Sequence, residues 1–314
     1  QDDRPVSLSQ ARRLLSSSDW RVLSPPRPFL GNRDRAGKIE ELHSWLLKNA
    51  QQADAWVLSL DMLVYGGLVA SRESMESEEL CLRRLDILRK LREEIPKKRI
   101  LAFQSIRRLA NTVWSREDLQ QEGSRGVSQG GSQGLSQGGS RGNHRARKRN
   151  HCVNLAALEA LADGSLDWLS LLQEDCLPCE ELSTEHRELL SWARQIQGDS
   201  KMVLTCGCDE AGQVLLSRAA CEIKGFKASV FVKFSSEAGR KRISLYEDRS
   251  LEDCVDGQIR ASGMERAKEA ENADFELWLW CPDGDCRDLW LEAPKQKPVE
   301  EVGRFIEYLS NAVD

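Results

Sequence analysis

The stretch AWVLSLDMLVYGGLVASR (55–72) decides the fold. Residues 55–60 are an apolar, β-rich run that stops at Asp61. The Gly66-Gly67 pair that follows is a turn signal before the next periodic segment. The same unit, a short buried strand feeding a polar turn and then a helix, recurs in both directions along the chain. Upstream, WRVLSPP (20–26) reads as a short strand stopped by Pro25 and Pro26. Ile39, Leu42, His43, Leu46 and Leu47 then fall on one face of an amphipathic helix. Downstream, Leu80, Leu82, Leu85, Leu88 and Leu91 line a helix closed by Pro96, and RILAFQ (99–104) is a strand. VNLAALEALADG (153–164) is a helix stopped by Gly164, DWLSLLQ (167–173) a strand, SWARQIQG (191–198) the end of a helix stopped by Gly198, and KMVLTC (201–206) a strand. QVLLSRAACEI (213–223) is a helix and ASVFVKF (228–234) a strand. Ser250 and Asp253 form a capping box for a helix through Ile259, and FELWLW (275–280) is the last strand.

Strands alternating with helices are the signature of a parallel sheet. The expected class is α/β, with repeated βα units in a β/α-barrel-like parallel sheet; a doubly wound, Rossmann-like sheet is the alternative. The chain begins with Gln rather than Met, and Asp2 and Asp3 read as the polar tip of a strand lying before residue 1. Residues 1–116 form a first βα half, 117–147 a low-complexity loop, and 148–314 a second βα half with a C-terminal helix, VEEVGRFIEYLSNAV. Within the loop, GSRGVSQGGSQGLSQGGSRG (123–142) has too little apolar surface to offset its ordering entropy, so it reads as flexible. The basic run RGNHRARKRN (141–150) reads as a solvated helix entry, because no aromatic residues interleave with it to stack on bases.

A chain of 314 residues can bury a sizeable core, and an apolar share of 40% with 22 Gly excludes wholesale disorder. Lys and Arg number 45 against 50 Asp and Glu, and the net charge of −5 offers no global attraction for nucleic acid or anionic membrane. No window approaches the roughly 18–20 apolar residues of a membrane span, and the start QDDRPVSLSQARR is polar, so a soluble chain is expected. The 10 cysteines are scattered through core-like runs and read as reduced thiols, which suits the cytoplasm. Cys176-x2-Cys179 is the one metal-like spacing, but zinc usually wants two such pairs, so no metal site is assigned. Trp278, Trp280 and Trp290 read as core, or as a surface on which a sugar could stack.

Ligands of parallel α/β proteins bind beyond the carboxyl ends of the strands, and here those positions are rich in acids. Asp2 and Asp3 open the chain, Asp61 follows the 55–60 run, and Glu174 and Asp175 follow WLSLLQ. Asp209 and Glu210 follow KMVLTCGC, and Glu237 follows VFVKFSS. Carboxylates at close quarters push their pKa values apart, which supplies a general acid with a base or nucleophile, or else a divalent-cation site. Acids at such turns also simply cap the next helix. Around them, Tyr65 could donate a hydrogen bond, and Gly66 and Gly67 could let backbone approach a ligand. Arg4 and Arg72 could fork onto an anion or pair with a tip acid, and His151 and Asn154, one helical turn apart, could face one cleft. No GxGxxG, Walker, HExxH or GxSxG motif occurs, so nucleotide-binding and serine-hydrolase readings have no footing.

The strings DDRPV (2–6), LDMLVYGGLVASR (60–72), RNHCVNLA (149–156), QEDC (173–176), CDEAGQVLLSRA (208–219), FSSEAG (234–239) and YEDRSL (246–251) resemble, in order, the bacterial family of domain of unknown function 4127. Its members look like LDERPVN, SLDMLAYGGL, RNHxVN, QDD, GADEVG and YEDRPL at these places. Asp3 stands where that pattern has Glu, Ser7 where it has Asn, and Glu174 where it has the first Asp of QDD. The pattern continues into a GWNT-type motif that this sequence lacks after Asp314, so the chain reads as a truncated or divergent member. The resemblance names no reaction. Its motifs add Gln173 and Ser236 to the candidate set.

Together these readings favour a carboxylate-based hydrolase acting on a sugar-like or other small polar substrate. Asp175 with Asp209 or Glu210 would form the catalytic pair. Asp3, Arg4, Asp61, Tyr65, Gly66, Gly67, Arg72, His151, Asn154, Gln173, Glu174, Ser236 and Glu237 would line the substrate site. No cofactor is required, although the same acids could hold a divalent cation. The competing reading is a non-catalytic carbohydrate- or metabolite-binding protein with no membrane or nucleic-acid partner.

Overall fold

The computed structural model describes residues 2–15, 20–32, 34–108, 137–176, 180–244 and 246–281. Its first sheet has four parallel strands, β1 (Ala55–Ser59), β2 (Arg99–Ile106), β3 (Trp168–Gln173) and β4 (Met202–Cys206), in the order β1-β2-β3-β4. A second parallel sheet sets β5 (Ser229–Phe234) between β6 (Glu265–Arg266) and β7 (Phe275–Leu279). The helices are α1 (Ser9–Leu14), α2 (Ile39–Lys48), α3 (Leu60–Tyr65), α4 (Leu68–Glu73), α5 (Glu78–Glu94), α6 (Gln137–Ala162), α7 (Glu180–Gln195), α8 (Ala211–Lys224), α9 (Glu237–Lys241) and α10 (Leu251–Ala261).

Alternation along the strands builds two cores. Trp56, Leu58, Ile100, Ala102, Leu169, Leu171 and Met202 join Leu88 and Leu91 of α5, Val153 and Leu158 of α6, and Leu189 of α7. On the opposite face Leu101, Phe103, Trp168 and Val203 join Leu215 and Ala219 of α8 and Ala261 of α10. Helices on both faces make this an open, covered sheet of the Rossmann-like kind. A barrel would keep its helices outside and fill its inner face with strand side chains alone. The α/β parallel expectation therefore holds, and within it the open alternative replaces the barrel.

Helix ends follow local chemistry. Ser77 Oγ accepts from Leu80 N, and Ser250 Oγ accepts from Asp253 N at 3.1 Å, as the capping-box reading requires. Gly225, at φ +63, ends α8 in the left-handed conformation that glycine takes without strain. Beyond α7 that conformation falls on Gln197 (φ +54) rather than on Gly198, which sits at φ −92.

Three further expectations change. Residues 20–26 are irregular, because consecutive prolines supply no N–H groups for a ladder. Residues 137–147 of the expected loop belong to α6, which starts at Gln137; residues 109–136 lie outside the described residues. The run RARKRN is not a solvated face, for Arg147, Arg149 and Asn150 are buried on α6 while Arg145 and Lys148 are exposed. Cys179, Trp290 and the C-terminal helix also lie outside the described residues. Among the described residues no helix is long and apolar enough to cross a membrane, and all the cysteines are free thiols.

Leu169 is wholly enclosed on the central strand β3. Leu169→Ala should cost about 2–5 kcal/mol, read as a lower urea midpoint with unchanged slope.

Candidate functional site

The parallel order brings the carboxyl ends of β1 to β4 to one edge of the sheet. Asp61 is the second residue of α3, directly past β1, where Ser59 Oγ caps the helix by accepting from Met62 N at 3.3 Å. Its side chain is fully buried. One oxygen accepts from Gln104 Nε2 at 3.1 Å and Ser105 Oγ at 2.9 Å, and the other from Ser105 N at 3.1 Å. Burial pushes its pKa from 3.8 up to about 7 against the pull of the Ser105 hydrogen bonds, and nearby Glu174 adds to the rise.

Glu174, one residue past β3, is also buried; it accepts from Arg72 Nε at 3.2 Å and Arg108 N at 3.3 Å. Gln173 Nε2 donates to the Ile106 and Glu174 carbonyls, and its Oε1 meets His186 Nε2 at 2.9 Å. Beyond β4, Cys208 Sγ donates to the Leu172 carbonyl. Burial raises that thiol well above its ordinary pKa, and Glu174, Asp61, Asp209 and Asp175 all push the same way. Four carboxylates from the tips of β1, β3 and β4 thus bear on one sulfur.

The acids form two layers. Asp61 and Glu174 are enclosed, whereas Asp175, Asp209 and Glu210 are exposed. Asp209 is oriented by Arg4, whose two terminal nitrogens donate to its two oxygens at 3.1 and 2.8 Å. The same arginine donates through Nε to buried Asp2 at 2.7 Å, so it clamps the N-terminal segment to the tip of β4. The Glu210 carboxylate folds against Gly207, where a Cβ would lie 2.4 Å from Oε1; at φ +92 only glycine is at ease there. A cavity of about 510 Å³ lies between the N-terminal segment, β1 and α8. Asp2, Ser59 and Asp209 line it together with Trp20, Trp56 and Phe103.

Other candidates fall elsewhere. Asp3 pairs with Arg27 at 3.3 Å rather than joining the acids. Gly66 packs closely on backbone: its carbonyl accepts from Gly37 N at 2.7 Å, and a Cβ on Gly66 would lie 2.7 Å from that nitrogen, while Gly67 N donates to the Asp61 carbonyl at 3.1 Å. Tyr65 is enclosed beneath the Arg149 guanidinium, 5.2 Å from its ring centre. The structure separates His151 from Asn154. His151 Nε2 meets Glu188 at 3.0 Å between α6 and α7, while buried Asn154 donates to Asn150. Ser236 and Glu237 follow β5 in the other sheet; Ser236 caps α9 at 3.0 Å and Glu237 pairs with Arg240 at 2.9 Å. Arg72 takes the ion-pair role with a tip acid.

Several partners in this site had no reading as site residues. Asn150 accepts from Arg107 N at 3.0 Å and donates to the Ser105 carbonyl at 3.1 Å, tying α6 to the end of β2. Arg149 donates to the carbonyls of Ser71, Ser74 and Glu76. The RNHCVN string held their signal, masked by the basic residues around it. Elsewhere at the same sheet edge, the sulfurs of Cys206 and Cys254 and a Glu247 oxygen lie within 4.8 Å of one another, a set able to hold a metal ion.

A family model described as a protein of unknown function (DUF4127) matches residues 1–123 and 141–314, and the chain belongs to that family. No curated protein and no solved structure matches it.

Between about pH 4 and 7 folded Asp61 keeps a proton that the unfolded chain has released, so its contribution is full at low pH and falls as pH rises towards 7. Asp61→Asn, whose amide mimics the protonated acid, should flatten that part of the urea-midpoint profile. An unchanged slope would contradict the assignment.

Proposed function

We propose that this member of the DUF4127 family is a hydrolase, working in the cytoplasm on a small polar, sugar-like substrate, with Asp175 and Asp209 as its catalytic carboxylates. The observation that carries the reading is that the parallel strand order sets Asp61, Glu174, Asp175 and Asp209 at one edge of the sheet, with Asp61 and Glu174 buried and Asp175 and Asp209 exposed. Glycoside-type hydrolysis needs one carboxyl to protonate the leaving oxygen and another to act as base or nucleophile. Asp209, held in the Arg4 fork, is assigned as the base or nucleophile, and exposed Asp175, at the tip of the neighbouring strand, as the proton donor. Arg4 is a positioning residue, since its donors already serve Asp2 and Asp209. Asp61 and Glu174, enclosed by their own donors, shape the site from behind.

A binding protein without turnover is the second reading. It is favoured by the tryptophan-lined cavity beside Asp2 and Asp209, which suits the apolar face of a sugar ring.

The two are separated by a panel of chromogenic glycosides and esters. On the hydrolase reading, Asp175→Asn and Asp209→Asn each lower turnover by roughly 10²–10⁴-fold with cooperative unfolding retained. Loss of the half-exposed Arg4–Asp209 pair costs at most about 1 kcal/mol of stability. Full turnover in both variants contradicts the assignment, and saturable binding without product supports the second reading.

A further inference from the structure

We propose that Cys206, Cys254 and Glu247 form a binding site for one thiolate-preferring divalent ion of the zinc class. This goes beyond the hydrolase reading and does not depend on it. Cys206 is the last residue of β4 and is buried; Cys254 lies in the first turns of α10; Glu247 comes from the segment that leads into that helix. Their ligand atoms all lie within 4.8 Å of one another. Around a tetrahedral zinc, ligands at about 2.0–2.3 Å stand within about 4 Å of each other, so small side-chain rotations close the set. Two soft sulfurs with one carboxylate suit zinc and its thiophilic neighbours, not magnesium or calcium, which take oxygen ligands. A site of three protein ligands leaves a fourth position for water. Cys254 and Glu247 are only partly buried, and Asp175, close enough to influence Glu247 electrostatically, is exposed.

The surrounding structure holds the three groups together. Gly257, one turn beyond Cys254, lies against Thr205: a Cβ there would sit 2.0 Å from the threonine hydroxyl oxygen. Glycine therefore lets α10 approach β4 closely enough for the sulfurs to meet. Gln258 Nε2 donates to the Cys206 carbonyl at 2.8 Å, and Arg249 Nη1 to the Leu204 carbonyl at 2.6 Å. Ser250 fixes the start of the helix. Tyr246 adopts φ +71, unusual for a non-glycine residue, and its carbonyl accepts from Cys176 N at 2.9 Å, which sets the direction in which Glu247 leaves. A thiol pair meant only for disulfide exchange needs no carboxylate within reach of both sulfurs.

The test is titration of the full chain, purified under reducing conditions, with Co²⁺, followed by competition with Zn²⁺. The wild type should bind one equivalent with a thiolate-to-cobalt charge-transfer band in the near ultraviolet, displaced by zinc. Cys206→Ser and Cys254→Ser should each weaken binding at least tenfold and diminish the band. Glu247→Gln and Gly257→Ala should weaken binding while keeping sulfur ligation. Cys208→Ser, which alters the neighbouring thiol, should bind as the wild type does. Absence of a charge-transfer band in the wild type, which needs no variant to fold, overturns the proposal. So does a band that persists in both serine variants, or one lost in Cys208→Ser alone. Because the readout is metal occupancy rather than turnover, failure of the hydrolase reading leaves the result interpretable.

Discussion

A carboxylate cut off from water is tolerable only where donors replace the water, and Asp61 is such a group. The end of β2 supplies the donors: the Gln104 amide, the Ser105 backbone N–H and the Ser105 hydroxyl. Removing one partner of a buried polar set costs far more than the net worth of a single hydrogen bond. The tip of β1 is thereby held to the tip of β2. Asn150 extends the tie to α6 through the Ser105 carbonyl and Arg107 N, and Glu174 continues it to β3 through Arg72 and the Arg108 backbone. The tips of β1, β2 and β3 are positioned by this buried layer.

The outer layer inherits its geometry. Asp175 follows Glu174 directly, and Asp209 sits beyond β4 in the grip of Arg4, whose other partner, Asp2, brings the N-terminal segment across the sheet edge. The cavity and exposed Asp209 are neighbours because Arg4 joins the segment lining the one to the strand tip bearing the other. The Cys206, Glu247 and Cys254 cluster occupies the same end of β4, where Gly257 removes the side chain that would keep α10 away. The carboxyl edge of one open sheet thus holds an inner acid layer, an outer acid pair and a soft-ligand set.

Much of the fold was legible because period-2 runs and 3.6-period faces are local properties. β1 to β5 and β7 fall where the apolar runs lie, and Ser250 caps α10 as its sequence signature indicates. Whether the sheet closes was not legible, because it depends on which helix crosses to which face; α8 packs on Leu101 and Phe103, opposite α5 and α6. The acids could be placed at strand tips but not sorted into buried and exposed. That sorting rests on tertiary partners: Gln104 and Ser105 of β2 meet Asp61, and Arg72 of α4 meets Glu174. His151 and Asn154 were read as a pair from spacing alone, which could not show that His151 meets Glu188 of α7 while Asn154 donates to Asn150 of its own helix. Cys206 and Cys254 become neighbours only in tertiary structure, so cysteine spacing could not reveal them.

On the proposed function, the outer acids of this sheet edge form a working ligand site. The most direct measurement is the thermal-unfolding midpoint of the full chain across a panel of monosaccharides and disaccharides, with the Asp175→Asn/Asp209→Asn double variant alongside. A ligand at 100 times its Kd stabilises the native state by about 2.7 kcal/mol, enough to move the midpoint by several degrees. One sugar class should raise the wild-type midpoint and leave the double variant unmoved. A panel that moves neither protein, or that moves both equally, contradicts it.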